Sequence, residues 1–433
     1  MNKISIKSIL LHLIILCTIP VYALDLSNAN TSLSDIFFNY IDKNEGTTSF
    51  RSLNIPSGGR AESLGTAYTA LANDIAFFDY NPAASCVLEN TEISVAHNAW
   101  ISDSAVETVA GTTRLGNLGL GAQIKCFYVP FTEYNIFGER VAGSYYSETT
   151  AAVNASYNFL AGYYFKGIAA GVNIKGAWRS IPDYTDNDTN KIIKGSGLAQ
   201  SGAAFMADFG VLLRFNLAKF YSSREPNLRL GLSLMNLGTA FTGFGSRGKL
   251  TRDDPLPSKI SAGISYQFIE PVIITADFRQ PINLEDPLKS EKWSAGTGAS
   301  IRFTNFFSFM TGFLIQGANP RISAGGEFKT GKVIMNVNYT FDLTTSLNPV
   351  NHISLSAKLD LGDRGRGKIR NEADALYAQG LIYYAQGNLQ EAFEAWQKVL
   401  DLDKSFDPAR EGLKAVQTSQ SLSDYLINIQ SLD

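Results

Sequence analysis

Gly243-Phe244-Gly245-Ser246-Arg247-Gly248-Lys249 has the glycine spacing of a loop that cradles phosphate on backbone N–H groups. Leu250 stands where a Ser or Thr would hold magnesium. Asp253-Asp254-Pro255 follows in place of a helix whose N-terminus would aim those amides. The segment reads as a flexible loop. Asp186-Asn187-Asp188-Thr189-Asn190 begins like a calcium loop, but Lys191 occupies the glycine position and no acidic residue closes it. Past the amino-terminal apolar run only His97 and His352 remain, each inside a strand-like segment. Cys86 and Cys126 allow either one disulfide or two free thiols, and supply no metal framework. No nucleophile–base pair and no metal cluster emerges. The expectation is therefore no enzyme, no catalytic residue, no metal and no cofactor. A net charge of −3 gives no basic field for nucleic acid.

The chemistry left is that of apolar surface, and its elements are short alternating segments. Ile260, Ala262, Ile264, Tyr266 and Phe268 interleave with Ser261, Gly263, Ser265 and Gln267. Ile353, Leu355, Ala357 and Leu359 interleave with Ser354, Ser356 and Lys358. Period-two alternation puts one set on each face of a strand. Fourteen such segments lie between residues 91 and 360. A soluble sandwich also alternates. The connections separate the two architectures. Tight turns at Leu115-Gly116, 161–164, Ile269-Glu270, Thr304-Asn305 and Thr330, with an intermediate connection from Leu217 to Glu225, alternate with a set that includes long polar stretches at 129–147, 179–201, 239–256 and 280–292. Short turns on one rim and long loops on the other build an outer-membrane barrel, with the long loops outside. The expected fold is an all-β transmembrane barrel of 14 antiparallel strands. Its 27 Phe and 19 Tyr suit interfacial girdles.

The ends add context. Lys3 and Lys7 precede an apolar run from Ile9 to Ile19, with Val21-Tyr22-Ala23 suited to cleavage, so 1–23 reads as a signal peptide. An even strand count places both termini in the periplasm. Fourteen strands leave a lumen too wide for wall side chains alone to fill, and 24–90 is the segment available to plug it. Within it Gly58-Gly59 and Asn81-Pro82 are turn signals, and small residues dominate between them.

Arg60, Gly65, Asn73-Asp74, Phe77-Phe78 and Asn81-Pro82-Ala83 resemble the N-terminal hatch of the FadL-like outer-membrane long-chain fatty-acid transporters, and the spirochaetal barrels of that group most of all. The resemblance spans roughly residues 50–360 and matches that family's fourteen strands. It implies a lumenal hatch at 24–90 under a barrel at 91–360, with Gly58, Gly59, Arg60, Gly65, Asn73, Asp74, Asn81, Pro82 and Ala83 as hatch residues. It also implies capture of a hydrophobic ligand at outer loops, hatch movement and lateral exit at a kink in the third strand. Gly119 and Gly121 are candidates for that kink, an ordinary tight turn being the alternative. Phe77 and Phe78 are the candidate ligand contacts.

After a glycine-rich linker at 361–368 the period changes. Ala375-Leu376-Tyr377, Gly380, Tyr383, Gly387, Ala392, Trp396 and Val399 fall at helical spacing and resemble one tetratricopeptide unit, with a third helix from Pro408. Residues 369–433 are thus expected to form a small all-α periplasmic module. Two functions follow: passive uptake of hydrophobic molecules, above all long-chain fatty acids, or a scaffold in secretion or envelope assembly. The expected partners are a lipid ligand, outer-membrane lipid and a periplasmic protein bound by the module.

Overall fold

Fourteen antiparallel strands close on themselves in the computed structural model, which describes residues 37, 40–135, 137–186, 189, 191–344 and 351–430. The signal-peptide reading and Asn187, Asp188 and Asn190 of the calcium-like loop lie outside the described residues. The strands are β1 (Glu92–Ala99), β2 (Ala105–Leu115), β3 (Leu118–Tyr134), β4 (Arg140–Phe159), β5 (Ile168–Ser180), β6 (Gly202–Phe215) and β7 (Leu228–Thr242). They continue as β8 (Ser258–Ile269), β9 (Val272–Ile282), β10 (Ser294–Arg302), β11 (Phe307–Gln316), β12 (Arg321–Thr330), β13 (Val333–Asp342) and β14 (His352–Asp360). Each pairs with its neighbours in sequence, and β1 pairs with β14 from Glu92↔Asp360 to Ala99↔Ile353. The sheet has no free edge.

Burial is inverted relative to a soluble protein. Ser94, Thr108, Asn154, Asn173 and Ser354 face inward and are buried. Their neighbours Val95, Val109, Val153, Ile174 and Leu355 face outward and are exposed. An apolar band around a polar interior is stable only where lipid replaces water. No helix among the described residues is long and apolar enough to cross a membrane.

The connections fall on two rims as expected, with one correction. Residues 129–147 are not a long loop, because β3 and β4 run on through them as a paired hairpin and leave only 135–139 between. The alternation of Phe127, Val129 and Phe131 continues past the point where polar residues begin, so the ladder continues too. The short-turn rim carries 116–117, 160–167, 216–227, 270–271, 303–306 and 331–332, and the long-loop rim carries 181–201, 243–257 and 283–293 among others. Two short helices, α1 (Arg60–Ser63) and α2 (Ser196–Gln200), lie in the lumen and in a long loop.

Beyond β14 the chain forms α3 (Arg366–Ala385), α4 (Leu389–Leu402) and α5 (Asp407–Gln430), so the linker is shorter than the expected 361–368. Trp396 is buried where the three helices meet, and Gly380 and Gly412 leave the room its indole fills. Its Nε1 donates to Tyr377 O at 3.2 Å. The module sits on the short-turn rim. Arg224, in the β6–β7 turn, forks onto Asp374 at 2.7 and 2.8 Å and lies over the rings of Tyr163 and Phe406.

Candidate functional site

The lumen is filled by residues 50–90, and local chemistry sets their path. Gly58 and Gly59 have φ of 100° and 78°, a left-handed region open to glycine, and a side chain at either would strike Ser354 or Ser356 of β14. Asp74 caps a 3₁₀ turn at Ile75–Asp79 by accepting Ala76 N–H at 2.9 Å. Asn81 caps the next, Pro82–Cys86, accepting Ala83 N–H at 3.1 Å, with Pro82 at its first position. The Asn81 amide also donates to Thr69 O at 2.8 Å and to Val211 O of β6 at 3.1 Å. Asn73 accepts the Tyr68 hydroxyl at 2.7 Å. All nine expected hatch residues therefore lie in the lumenal plug.

The wall is cut to fit. A methyl group at Gly119 would collide with the Ser85–Cys86 backbone, and one at Gly171 or Gly210 with Asn81, Pro82 or Ala83. Gly231 admits Thr69 and Ala70, Gly312 admits Leu64 and Gly65, and Gly325 admits Ser63. Apart from Gly119, which the sequence offered as a kink, these strand glycines carry roles that the sequence analysis missed. Their signal was glycine on the lumen-facing set of successive strands.

Buried ion pairs fasten the plug. Asp74 meets Lys358 of β14 at 2.7 Å, Arg60 meets Glu327 of β12 at 3.0 Å, and Asp79 meets Lys125 of β3 at 3.4 Å. Glu62 pairs with His352. Burial alone would raise the Asp79 carboxyl, but Lys125 and two hydrogen bonds from Ser57 outweigh it and hold the group below its ordinary range. Asp74 is held low in the same way, burial being outweighed chiefly by Lys358.

Above the plug lies a cavity of about 630 Å³. Its floor includes Glu62, Thr66, Asp79 and Tyr80, and one side is the segment Thr48–Pro56. Phe50, Leu53, Trp100, Phe127, Ile282 and Leu314 give it apolar surface, and Lys259, Arg279 and Arg321 give it cations. Phe77 and Phe78 do not line it. They stack 4.4 Å apart inside the plug, fully buried, with Phe78 against Gly121. Among the described residues no group of three or more His, Cys, Asp or Glu is placed to hold a metal. Cys86 and Cys126 are both free.

Pairing of β3 with β2 and β4 runs without a register shift through Gly119 and Gly121, so no gap opens in the wall there. These glycines admit the plug instead. The wall departs from simple pairing at β7. Asn236 has a φ of 60°, the register with β6 shifts between Ala207 and Phe209, and pairing with β8 stops at Met235↔Lys259. Beyond that point β7 pairs only with the two residues Thr251-Arg252 of the following loop. Behind this stretch Phe50 packs with Ala177, Ala204, Met206, Ala240 and Leu256.

The chain ends themselves, expected to share one rim, lie outside the described residues. Ahead of the plug the chain climbs to the long-loop rim, where Asn44 Nδ2 donates to Ser290 O at 3.0 Å and Lys292 Nζ to Ile41 O at 2.9 Å. The plug fills the path back towards the other rim.

Fold and lumen together define a plugged fourteen-stranded barrel carrying a helical module. The chain belongs to the uncharacterised protein family UPF0164, whose model matches residues 28–364. A tetratricopeptide-repeat model matches residues 373–406. Two UPF0164 proteins of Treponema pallidum are each 28% identical, one over 89% of this chain and 86% of its own length, the other over 87% and 77%. Among solved structures, the Ralstonia pickettii toluene transporter TbuX is similar at 13% identity and a TM-score of 0.43, over 70% of this chain and 98% of its own. A Pseudomonas aeruginosa FadL homologue is similar at 12% identity and 0.42, over 71% and 98%. No catalytic family is indicated.

Proposed function

We propose that this protein is an outer-membrane transporter that takes up hydrophobic molecules, with long-chain fatty acids as the substrate class. The observation that carries the reading is a cavity of about 630 Å³, open at the long-loop rim and floored by the plug, inside a barrel with an apolar exterior. That volume lies in the usual range of small-ligand sites. Burying an acyl chain stabilises by about 0.8 kcal/mol per methylene, so apolar walls suffice for affinity. Lys259 bonds only the Asn54 amide, at 3.2 Å, and neither it nor Arg321 makes an ion pair among the described residues. Both stand ready for a carboxylate headgroup. The long-loop rim faces the exterior and the helical module lies in the periplasm.

The ligand enters at the long loops, rests in the cavity and leaves sideways where β7 parts from β8, through the apolar cluster around Leu256. Phe241 and Arg252 are ladder partners there, a separation a disulfide spans. Oxidised F241C/R252C should take up no fluorescent fatty acid, and reduction should restore uptake. Uptake that is indifferent to the lock removes this exit. The substrate class is tested by lipid extraction and mass spectrometry of the purified protein, with binding by K259M/R321M. Co-purified fatty acid and weakened binding support it, and a lipid-free protein that ignores a fatty-acid probe refutes it.

The second reading, a scaffold for protein export or envelope assembly, is favoured by the module's seat on the rim through Arg224 and Asp374. Deleting 369–433 should abolish capture of a periplasmic partner while sparing lipid binding under this reading. Loss of lipid binding instead assigns the module to transport.

A further inference from the structure

The described chain crosses its own barrel from one rim to the other. Leu88 and Glu89, at the end of the plug, are at the short-turn rim, where their carbonyls accept from Arg366 at the start of α3. Residues 58–80 cross the lumen, and Leu64, Ala67, Tyr68, Ala70 and Phe77 are completely buried. Ahead of them Ser49 N–H donates to Pro255 O at 3.0 Å in the β7–β8 loop. Arg51 meets Glu291 at 2.9 Å in the β9–β10 loop. Asp42 Oδ1 accepts Asn44 N–H at 2.9 Å, and Asp42 Oδ2 accepts the backbone N–H of Lys292. The segment from Ile41 to Arg51 is thus laced to loops of one rim only.

We propose that the polypeptide is threaded through the barrel, so that the segment from Tyr40 to Arg51 lies at the cell exterior while the carboxy-terminal helical module lies in the periplasm. The proposal rests on the outer-membrane orientation given above. It makes the segment from Tyr40 to Arg51 an external feature of the molecule, on the side where ligand enters. The segment is tied down by hydrogen bonds that water can replace.

The test is labelling of single-cysteine variants on intact cells with a membrane-impermeant maleimide, the wild-type chain serving as blank because it keeps Cys86 and Cys126. K289C, in the β9–β10 loop, reports which way the barrel faces. K43C reports the segment ahead of the plug, and K398C, on an exposed position of α4, reports the module. The expected result is K43C labelled to the same extent as K289C on intact cells. K398C should stay at the blank level until the outer membrane is permeabilised. K289C labelled with K43C silent until permeabilisation overturns threading and leaves the orientation standing. K289C silent with K398C labelled overturns the orientation itself, and the external placement falls with it. Heat-modifiable migration of each variant on a gel verifies that the labelled species is the folded barrel.

Discussion

The stretch that plugs the barrel and the stretch that precedes it are continuous in sequence, yet they are held in opposite ways. The plug, residues 58–88, meets a wall stripped of side chains at each close crossing and is fastened by ion pairs whose partners are almost wholly buried. The strap, residues 40–55, meets loops, and many of its bonds run to their backbone carbonyls from partly exposed groups. Below the strap a cavity remains open, while the plug leaves almost no free space. Removing a bond from the plug strands a buried charge, whereas removing one from the strap exposes a group that water can satisfy. The lumen is therefore closed firmly towards the module and loosely towards the long loops. That is the asymmetry expected of a site loaded from one side.

The largest effect should come from breaking the buried Lys358–Asp74 pair of the plug. K358M leaves Asp74 buried without its partner, a loss of about 3–5 kcal/mol for such pairs, read as a fall in the denaturant midpoint of the refolded barrel in detergent. K358M/D74N should regain most of that loss. If K358M leaves the midpoint unmoved, the pair does not hold the plug. Next in size is G312A, which forces a methyl group into the Leu64–Gly65 backbone and should cost about 1–3 kcal/mol, as overpacking does. G111A is its internal control, because nothing lies within 4 Å of a side chain added there. Equal midpoints for the two variants would show that the wall does not mould the plug.

How much of this was legible follows from the range of each interaction. The alternation of Ile260, Ala262 and Ile264 with small or polar residues is local, and so it announced a strand and its two faces without any partner being known. Asn81-Pro82-Ala83 was equally legible, because the cap that Asn81 provides lies two residues away. Lys358 and Asp74 are 284 residues apart, and nothing in either neighbourhood names the other. Gly119 and Gly121 were read as a bend because strand glycines often mark one. The same absence of a side chain instead serves close approach of the plug. Phe77 and Phe78 look like a lumenal contact in sequence, but their faces are spent on each other and on the plug's own core. The strap's polar residues from Asp42 to Ser49 carry no periodicity at all, so its climb to the long-loop rim had no sequence signal.

Acid offers a middle-sized test of the plug's fastening. The Asp79 carboxyl is depressed from its ordinary value of 3.8 by Lys125 and Ser57, against the opposing effect of burial. A depressed carboxylate contributes stability that is complete above the unfolded value and lost as pH falls through the folded one. Single-channel conductance of the wild type should thus stay low through the ordinary carboxylate range and rise only below it. D79N should conduct more at neutral pH and lose that acid-dependent rise. A wild type that opens as pH drops through ordinary carboxylate values would show that Asp79 does not take part in the closure.

The smallest effect on stability, and the most informative about the strap, belongs to Asn44. N44A removes side-chain bonds to the Leu288 and Ser290 carbonyls, at 3.4 and 3.0 Å. Both acceptors lie in a long loop that water reaches, so the cost should stay near 0.5–1.5 kcal/mol or less. Ligand access should change more than stability does, because the strap forms one side of the cavity and its outer end is what the bond restrains. Association of a fluorescent fatty acid with N44A should speed up while the unfolding midpoint barely moves, and K358M should show the reverse ordering of the two readouts. If N44A destabilised the barrel as much as K358M does, strap and plug would be one cooperative unit, and the loosely closed outer side would have to be abandoned.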